Sequence, residues 1–360
     1  MPTPDPKEIF SRRLLQARKM RGLSLRALSE KLEGKVSHSA LAKYENGHML
    51  PSSGVLIAIG HALNLNPDYF FRDYAVELAE ISYRKRSSLG KKAEESIKEE
   101  ARDFFERYLE LEEILGVREV FEYPLSGDTV SSIDDAERAA IRLRDKWKLG
   151  NDALPNIHEL LEEKNIKVHE APDAPTTFDG FSGKADGSCV IVIGKWLDEN
   201  IPRKRMTLLH ELAHVVLNMP ADIAKNDEET LAKYFGGAFL IPKEKIGKVF
   251  GNNRTRLALQ ELIEIKAIYG ASIKAIVMRA YQLGYLAEAA FKGFCIYYNK
   301  QPWRNSGEPG DGAFVGWEKS HRFPMLVHRA LAEEQISMSK AAALLGRSMN
   351  EVRDEFRVVT

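Results

Sequence analysis

The sequence predicts a multidomain chain: an all-α domain first, an α+β domain next, and a mostly helical C-terminal region last. Three observations predict it. Short helical patterns, punctuated by Ser, Gly and Pro, fill the first 72 residues. The middle alternates helical patterns with strand-like runs such as Cys189-Val190-Ile191-Val192-Ile193. Near the end, Ser337 and Ser348 open short helices and Gly346 closes one. The divisions expected are residues 1–72, a helical linker over 73–120, an α+β domain over 121–270, and a C-terminal region over 271–360.

The N-terminal segment reads as five short helices. Ile9, Leu14, Leu15 and Ala17 pattern the first. Ser24 caps a second, with Leu25 and Leu28 on its apolar side. After a turn at Gly34, Ser37 caps a third, ending at Asn46, and Gly47 fits the stop. Leu56 to Leu63 forms a fourth and Pro67 to Phe71 a fifth. Residues 7–47 hold ten Lys or Arg against four Asp or Glu, in a chain whose net charge is zero. Such a local excess suits a polyanion partner.

In the linker, Ile97, Ala101, Phe104, Tyr108, Leu111 and Leu115 recur at heptad spacing, after a basic cluster, Arg84-Lys85-Arg86 and Lys91-Lys92. The seam either packs on the neighbouring domain or joins two copies of the chain. Further on, Asp135–Trp147 and Asn156–Asn165 read as helices, and Ile166–His169 and Cys189–Ile193 as strands. Phe178–Gly187 reads as a Gly-rich turn region, and the whole as a small antiparallel sheet on helices. His158 and His169 have no ligand-like spacing and read as ordinary surface or core histidines.

The most informative run is Met206-Thr207-Leu208-Leu209-His210-Glu211-Leu212-Ala213-His214. His210 and His214, four apart, share one helix face and can bind one zinc ion. Glu211 then stands beside an activated water, which names a reaction, peptide-bond hydrolysis. An ordinary amphipathic helix could carry the same letters on a polar stripe. Leu208, Leu209, Leu212, Val215 and Val216 make this helix apolar nearly all round, and burying two His and a Glu in it without a partner would be expensive. A third ligand is needed, and Asp222, Asp227, Glu228 and Glu229 all follow within reach. Residue chemistry alone does not choose among them.

Phe291–Trp317, rich in aromatics, Gly and Pro, shows no helical period and suggests a hairpin. Pro324–Glu333, Met338–Leu345 and Ser348–Phe356 read as helices. No apolar run reaches the roughly 18 residues of a membrane span, and MPTPDPKEIF has no signal-peptide pattern. Two cysteines, Cys189 and Cys295, read as reduced thiols. These features lead us to expect a cytoplasmic protein with no membrane partner.

Two resemblances follow from these residues. The strand before HELAH, HELAH itself, and Glu229-Thr230-Leu231-Ala232 with Phe235 and Phe239-Leu240-Ile241-Pro242 resemble the ImmA/IrrE family of metallopeptidases over roughly residues 150–270. The resemblance implies a zincin-like fold, Zn2+ held by His210, His214 and Glu229, and Glu211 as the proton carrier. Gly236 and Gly237 stand where the family more often has Ala, which suggests close helix packing. In such peptidases an edge strand lines the cleft and takes up the substrate as an added strand. An oxyanion stabiliser beyond zinc is also required, with Arg205 and Tyr234 as candidates.

Residues Gly22–Gly34, Lys35–Ser52 and Leu56–Leu65 resemble the Xre-type helix-turn-helix domain of Cro/C1-like repressors. That implies double-stranded operator DNA as a partner, with His38, Ser39 and Lys43 at the major groove or flanking phosphates and Arg26 and Lys35 on phosphates. Leu25 stands where the family often has Gln, so one phosphate contact is lost. Tyr44 and Glu45 read as structural. Together the resemblances imply a DNA-binding regulator that forms a homodimer and acts on a repressor-type or toxin-like protein partner or on itself.

Overall fold

The computed structural model describes residues 5–83 and 89–356; Arg84-Lys85-Arg86 lies outside the described residues. The chain begins with four helices, α1 (Pro6–Met20), α2 (Leu25–Lys31), α3 (His38–Glu45) and α4 (Ser53–Leu63), and a 3-10 turn, Pro67–Phe71. Their starts are chemical. Ser24 and Ser37 accept hydrogen bonds from Ala27 and Ala40 N–H, at 3.1 and 3.2 Å, capping α2 and α3. Gly47 follows α3 at φ +70°, a conformation Gly takes at little cost. Phe10, Leu14, Leu28, Leu41, Ile59 and Phe70 close a separate small core.

The next element corrects the sequence reading. Residues 78–83 form a strand, β1 (Leu78–Tyr83), inside what reads as a helical linker. Then comes the 25-residue helix α5 (Lys91–Leu115). Its seam is consumed within the chain and is not a coiled-coil face. Ile97, Ala101, Phe105 and Leu109 pack on the sheet. Tyr108 and Leu111 pack on the C-terminal helices. A third flank carries the N-terminal domain: Arg13 of α1, fully buried, pairs with Glu106, and its Nε donates to Arg72 O at 2.8 Å.

The α+β part opens with α6 (Ile133–Lys146) and α7 (Ile157–Glu163), followed by β2 (Lys167–Ala171), β3 (Gly180–Ala185) and β4 (Ser188–Gly194). The sheet order is β1-β3-β4-β2. It is mixed, not antiparallel: β2 runs parallel to β4, while β3 is antiparallel to both β4 and β1. A parallel pair needs a crossover, and β3 lies within the segment that connects β2 to β4. The expected Gly-rich turn over 178–187 is thus mostly β3. Helices α8 (Ile201–Val216), α9 (Lys225–Leu240), α10 (Lys243–Phe250), α11 (Leu259–Tyr269) and α12 (Ile273–Gln282) follow. One core runs from Phe121 to Phe294 through all of them.

The expected hairpin over 291–317 is also overturned. It begins as helix α13 (Glu288–Lys300), with a short α14 (Trp303–Ser306) after it. Phe291, Phe294, Cys295 and Tyr298 stand at i, i+3, i+4 and i+7, a helical stripe that packs on the main core. The chain ends with α15 (Arg322–Ala332), α16 (Met338–Leu345) and α17 (Met349–Glu355), packed on α5. No helix among the described residues is long and apolar enough to cross a membrane.

His158 and His169 are buried, as core histidines. His158 Nδ1 lies 3.3 Å from Glu170, and the His169 ring stacks on Phe104 at 4.4 Å. Glu170 also pairs with Lys204 of α8, which joins β2 to the helix carrying HELAH. Burial alone would raise the Glu170 carboxyl, but hydrogen bonding from His158 and the charge of Lys204 outweigh it and hold it at about 2, against an ordinary 4.5. A carboxyl held low stabilises the fold above its unfolded pKa, and that stabilisation is lost as the pH falls through the folded value. We expect Glu170→Gln to lower unfolding free energy at neutral pH by at most about 3 kcal/mol. Urea titrations of the two proteins should converge between pH 4.5 and about 2.

Candidate metal centre and active site

Helix α8 starts where Asn200 accepts the Arg203 N–H at 3.1 Å, with Pro202 in the first turn. Beyond that turn Leu208, Leu209, Leu212 and Ala213 are fully buried, so the helix is enclosed almost all round. His210 and His214 lie one turn apart on one face, with their Nε2 atoms 3.2 Å apart. His210 is 1 % exposed and Glu211 0 %.

Helix α9 packs across α8, and Gly236 sits at the contact. A Cβ there would stand 3.4 Å from Leu209 Cβ and from the Met206 methyl, whereas Gly237 faces open space. The close approach expected from the two glycines therefore rests on Gly236. It carries Glu229 to the histidines: its carboxylate oxygens lie 3.5 Å from His210 Nε2 and 3.8 Å from His214 Nε2. The three ligand atoms fall within 4.8 Å of one another. Two ligands each about 2.0–2.1 Å from one tetrahedral zinc stand roughly 3.3–3.4 Å apart. Two imidazole nitrogens and a carboxylate at these separations fit zinc in both donor type and spacing.

The other acids in reach take different places. Asp222 and Asp227 are exposed and outside the cluster. Glu228 approaches His214 from behind, 3.2 Å from its Nδ1. A carboxylate there can fix the imidazole so that Nε2 faces His210 and Glu229. Sequence reasoning treats Glu228 only as a rival ligand. The available signal is two consecutive acids in one helix, whose directions differ by about 100° so that each can meet a different atom of the site.

On the His210 side the cluster opens into a cavity of about 360 Å³. Thr207, Asp179 and Arg203 line it, together with Tyr298, Trp303 and Glu308 from the C-terminal part. Arg203 is tied to Asp179 at 2.7 Å and lies over the Trp196 ring. Lys266 is tied to Glu308 at 2.8 Å.

Arg205 and Tyr234, the candidate oxyanion stabilisers, are both engaged elsewhere. Arg205 is fully buried, pairs with the equally buried Glu318, and donates to Leu154 O at 2.8 Å. It clamps α8 to the C-terminal segment. Tyr234 turns towards Glu137 and Arg279, and burial followed by the Glu137 charge raises its hydroxyl pKa.

In the N-terminal domain Arg26, Lys35, His38, Ser39 and Lys43 are all exposed, on α2, α3 and the turn between them. Lys35 pairs with Glu33 at 2.8 Å, and the Ser39 hydroxyl lies 3.0 Å from that of Ser37. Tyr44 is buried and Glu45 receives both Arg18 Nε and Nη2, which makes them structural. Leu25 packs against the domain core.

Residues 14–70 match the family model described as helix-turn-helix, and residues 161–281 match that of the IrrE N-terminal-like domain, a peptidase family. The chain joins a helix-turn-helix domain to an IrrE-like domain. No curated protein and no solved structure gives a significant match to it. The IrrE-like match spans β2 to α12 and so contains His210, Glu211, His214 and Glu229.

If Glu228 orients His214, then Glu228→Gln should weaken zinc binding about 10–100-fold. His210→Ala should weaken it far more. Competition against a chromophoric chelator measures both.

Proposed function

We propose that this protein is a DNA-binding transcriptional regulator whose IrrE-like domain is a zinc metalloendopeptidase, cutting a repressor-type partner protein or the chain itself. The observation that supports it most is the convergence of His210, His214 and Glu229, with Glu211 next to His210 on the same buried helix. Zinc held there supplies Lewis-acid activation of water and of the scissile carbonyl. In this reading His210, His214 and Glu229 hold the ion, and Glu228 steadies His214. Glu211 accepts the proton of the attacking water and delivers it to the leaving amine. The cavity beside His210 receives the substrate chain.

The DNA-binding half of the proposal rests on the matched domain and its exposed basic face. His38, Ser39 and Lys43 on α3 reach the major groove or its flanking phosphates; Arg26 and Lys35 hold phosphates. Two half-sites read together call for a homodimer, and its interface lies elsewhere than the α5 seam, which is filled within the chain. Such a protein works in the cytoplasm, at the nucleoid when on DNA.

Glu211→Gln should abolish cleavage while keeping one zinc per chain, and should trap the partner in a pull-down. A captured repressor or toxin that wild type cuts supports the peptidase reading. A captured partner left whole by zinc-loaded wild type instead marks an antitoxin-like binder with structural zinc. Absence of zinc overturns the site assignment. For DNA, Lys43→Ala should weaken operator and non-operator binding alike and reduce the salt slope of log K by about 1. A loss confined to the operator would show that Lys43 reads bases.

A further inference from the structure

The sheet ends at the active-site helix, and its edge there is not free. Gly180, at the start of β3, lies over α8: a Cβ on it would stand 3.2 Å from the methyl of Thr207, one turn before His210. The preceding residue, Asp179, lines the cavity onto which His210 opens. β3 is therefore the strand that borders the cleft, and one of its edges is bonded to β4. The opposite edge is where an extended peptide would gain a ladder of main-chain hydrogen bonds beside the metal cluster. In this chain β1 occupies it. β1 runs antiparallel to β3, pairing Leu78 with Ala185, Ala79 with Lys184, Ser82 with Ser182 and Tyr83 with Phe181. It thus advances along β3 towards Gly180 and the cavity.

We propose that the outer edge of β3 is the docking edge for an extended peptide substrate and that β1, the segment leaving the helix-turn-helix domain, fills it as an intramolecular stand-in. This rests on the peptidase reading for the word substrate; the docking edge itself can be tested apart from it. β1 has the marks of a strand that can be displaced. Its register breaks between Ala79 and Ser82, and Glu80 is held at φ +50°, a strained conformation for Glu. A bulge leaves the ladder interrupted there. Besides its interrupted ladder with β3 and the packing of Leu78, β1 is held by local contacts: Lys184 pairs with Glu80 at 2.7 Å, and Glu77 N–H donates to Asp186 at 3.1 Å. Being tethered, β1 competes at a high effective concentration, so a free peptide of similar pairing strength is excluded until β1 lifts.

The test uses the full chain and a fluorescent peptide of the β1 sequence, residues 76–83, read by anisotropy with Glu211→Gln present throughout to prevent turnover. Ser82→Pro places in β1 a residue that strands disfavour and should raise peptide affinity at least tenfold over the same chain with Ser82. A cross-link, Ala79→Cys with Lys184→Cys, joins directly opposed residues, a geometry that accepts a disulfide. Its oxidised form should bind the peptide at least tenfold more weakly than its reduced form, a comparison that holds within one folded protein should Ser82→Pro fail to fold. Equal binding in the oxidised and reduced forms overturns the proposal. With Glu211 restored, peptide docking to the reduced form without cleavage of any added protein would sink the peptidase reading and leave the docking edge standing. Cleavage equally fast in the oxidised and reduced forms would sink the docking edge and leave the peptidase.

Discussion

The crossing of α8 and α9 is the constraint on which the rest of the candidate site depends. The two histidines come from one helix and need only helical geometry, but the third ligand comes from another helix, fifteen residues further along the chain than His214. Bringing Glu229 within 4 Å of both imidazoles requires the helix axes to approach closely. Gly236 permits this by presenting no side chain to Leu209. Glu228 then falls on His214 as a consequence of the same placement.

That crossing is held in register by buried cations on the first turns of α8. Lys204 reaches Glu170 on β2, Asp198 and the Glu318 carbonyl; Arg205 reaches Glu318 and Leu154 O. A buried pair of this kind is weak evidence for stability, since desolvation offsets much of the attraction. Its geometric effect is another matter. Breaking one partner leaves an uncompensated charge in the core, so α8 has one low-energy position relative to the sheet and to the segment around Glu318. The C-terminal part, which supplies Tyr298 and Trp303 to the cavity wall, is anchored by the same pair.

Much of this was legible in the sequence where the determinant is local. Ser24 and Ser37 announce their helices because a cap needs only residues two or three positions on. His210 and His214 announce a shared face because the helix repeat places them there. Features set by distant partners were not legible. Arg205 reads as a polar residue near a catalytic motif, and nothing nearby in sequence shows that Glu318, 113 residues away, claims it. β3, Gly-Phe-Ser-Gly-Lys-Ala, has two glycines that hide its alternation, and it is a strand because β4 and β1 flank it. The α13 stripe was obscured by the Gly and Pro residues that follow it. The α5 heptad was read correctly as a buried seam, but a heptad does not say whether its partner is another copy or the chain's own sheet.

The position of α5 explains how a small helical domain and an α+β domain become one object. Its three flanks take the N-terminal helices, the sheet and the C-terminal helices, and each contact includes an ion pair, buried at the first two and partly exposed at the third. Glu106 meets Arg13, Glu112 meets Lys167 at 3.1 Å, and Glu110 meets Lys340 at 2.5 Å. Apolar packing alone is tolerant of sliding along a helix, because neighbouring turns present similar surfaces. Glu106 also lies near Arg72 and Glu112 near Arg322, and these pairs, at fixed heights on α5, together favour one register of the three bodies on one axis. β1 is connected directly to this axis through Val76, whose side chain packs with Ile97 and Phe105 and whose N–H faces Glu106. The carboxylate that receives Arg13 of the helix-turn-helix domain thus also anchors the entry to β1, the strand paired with the cleft-bordering β3.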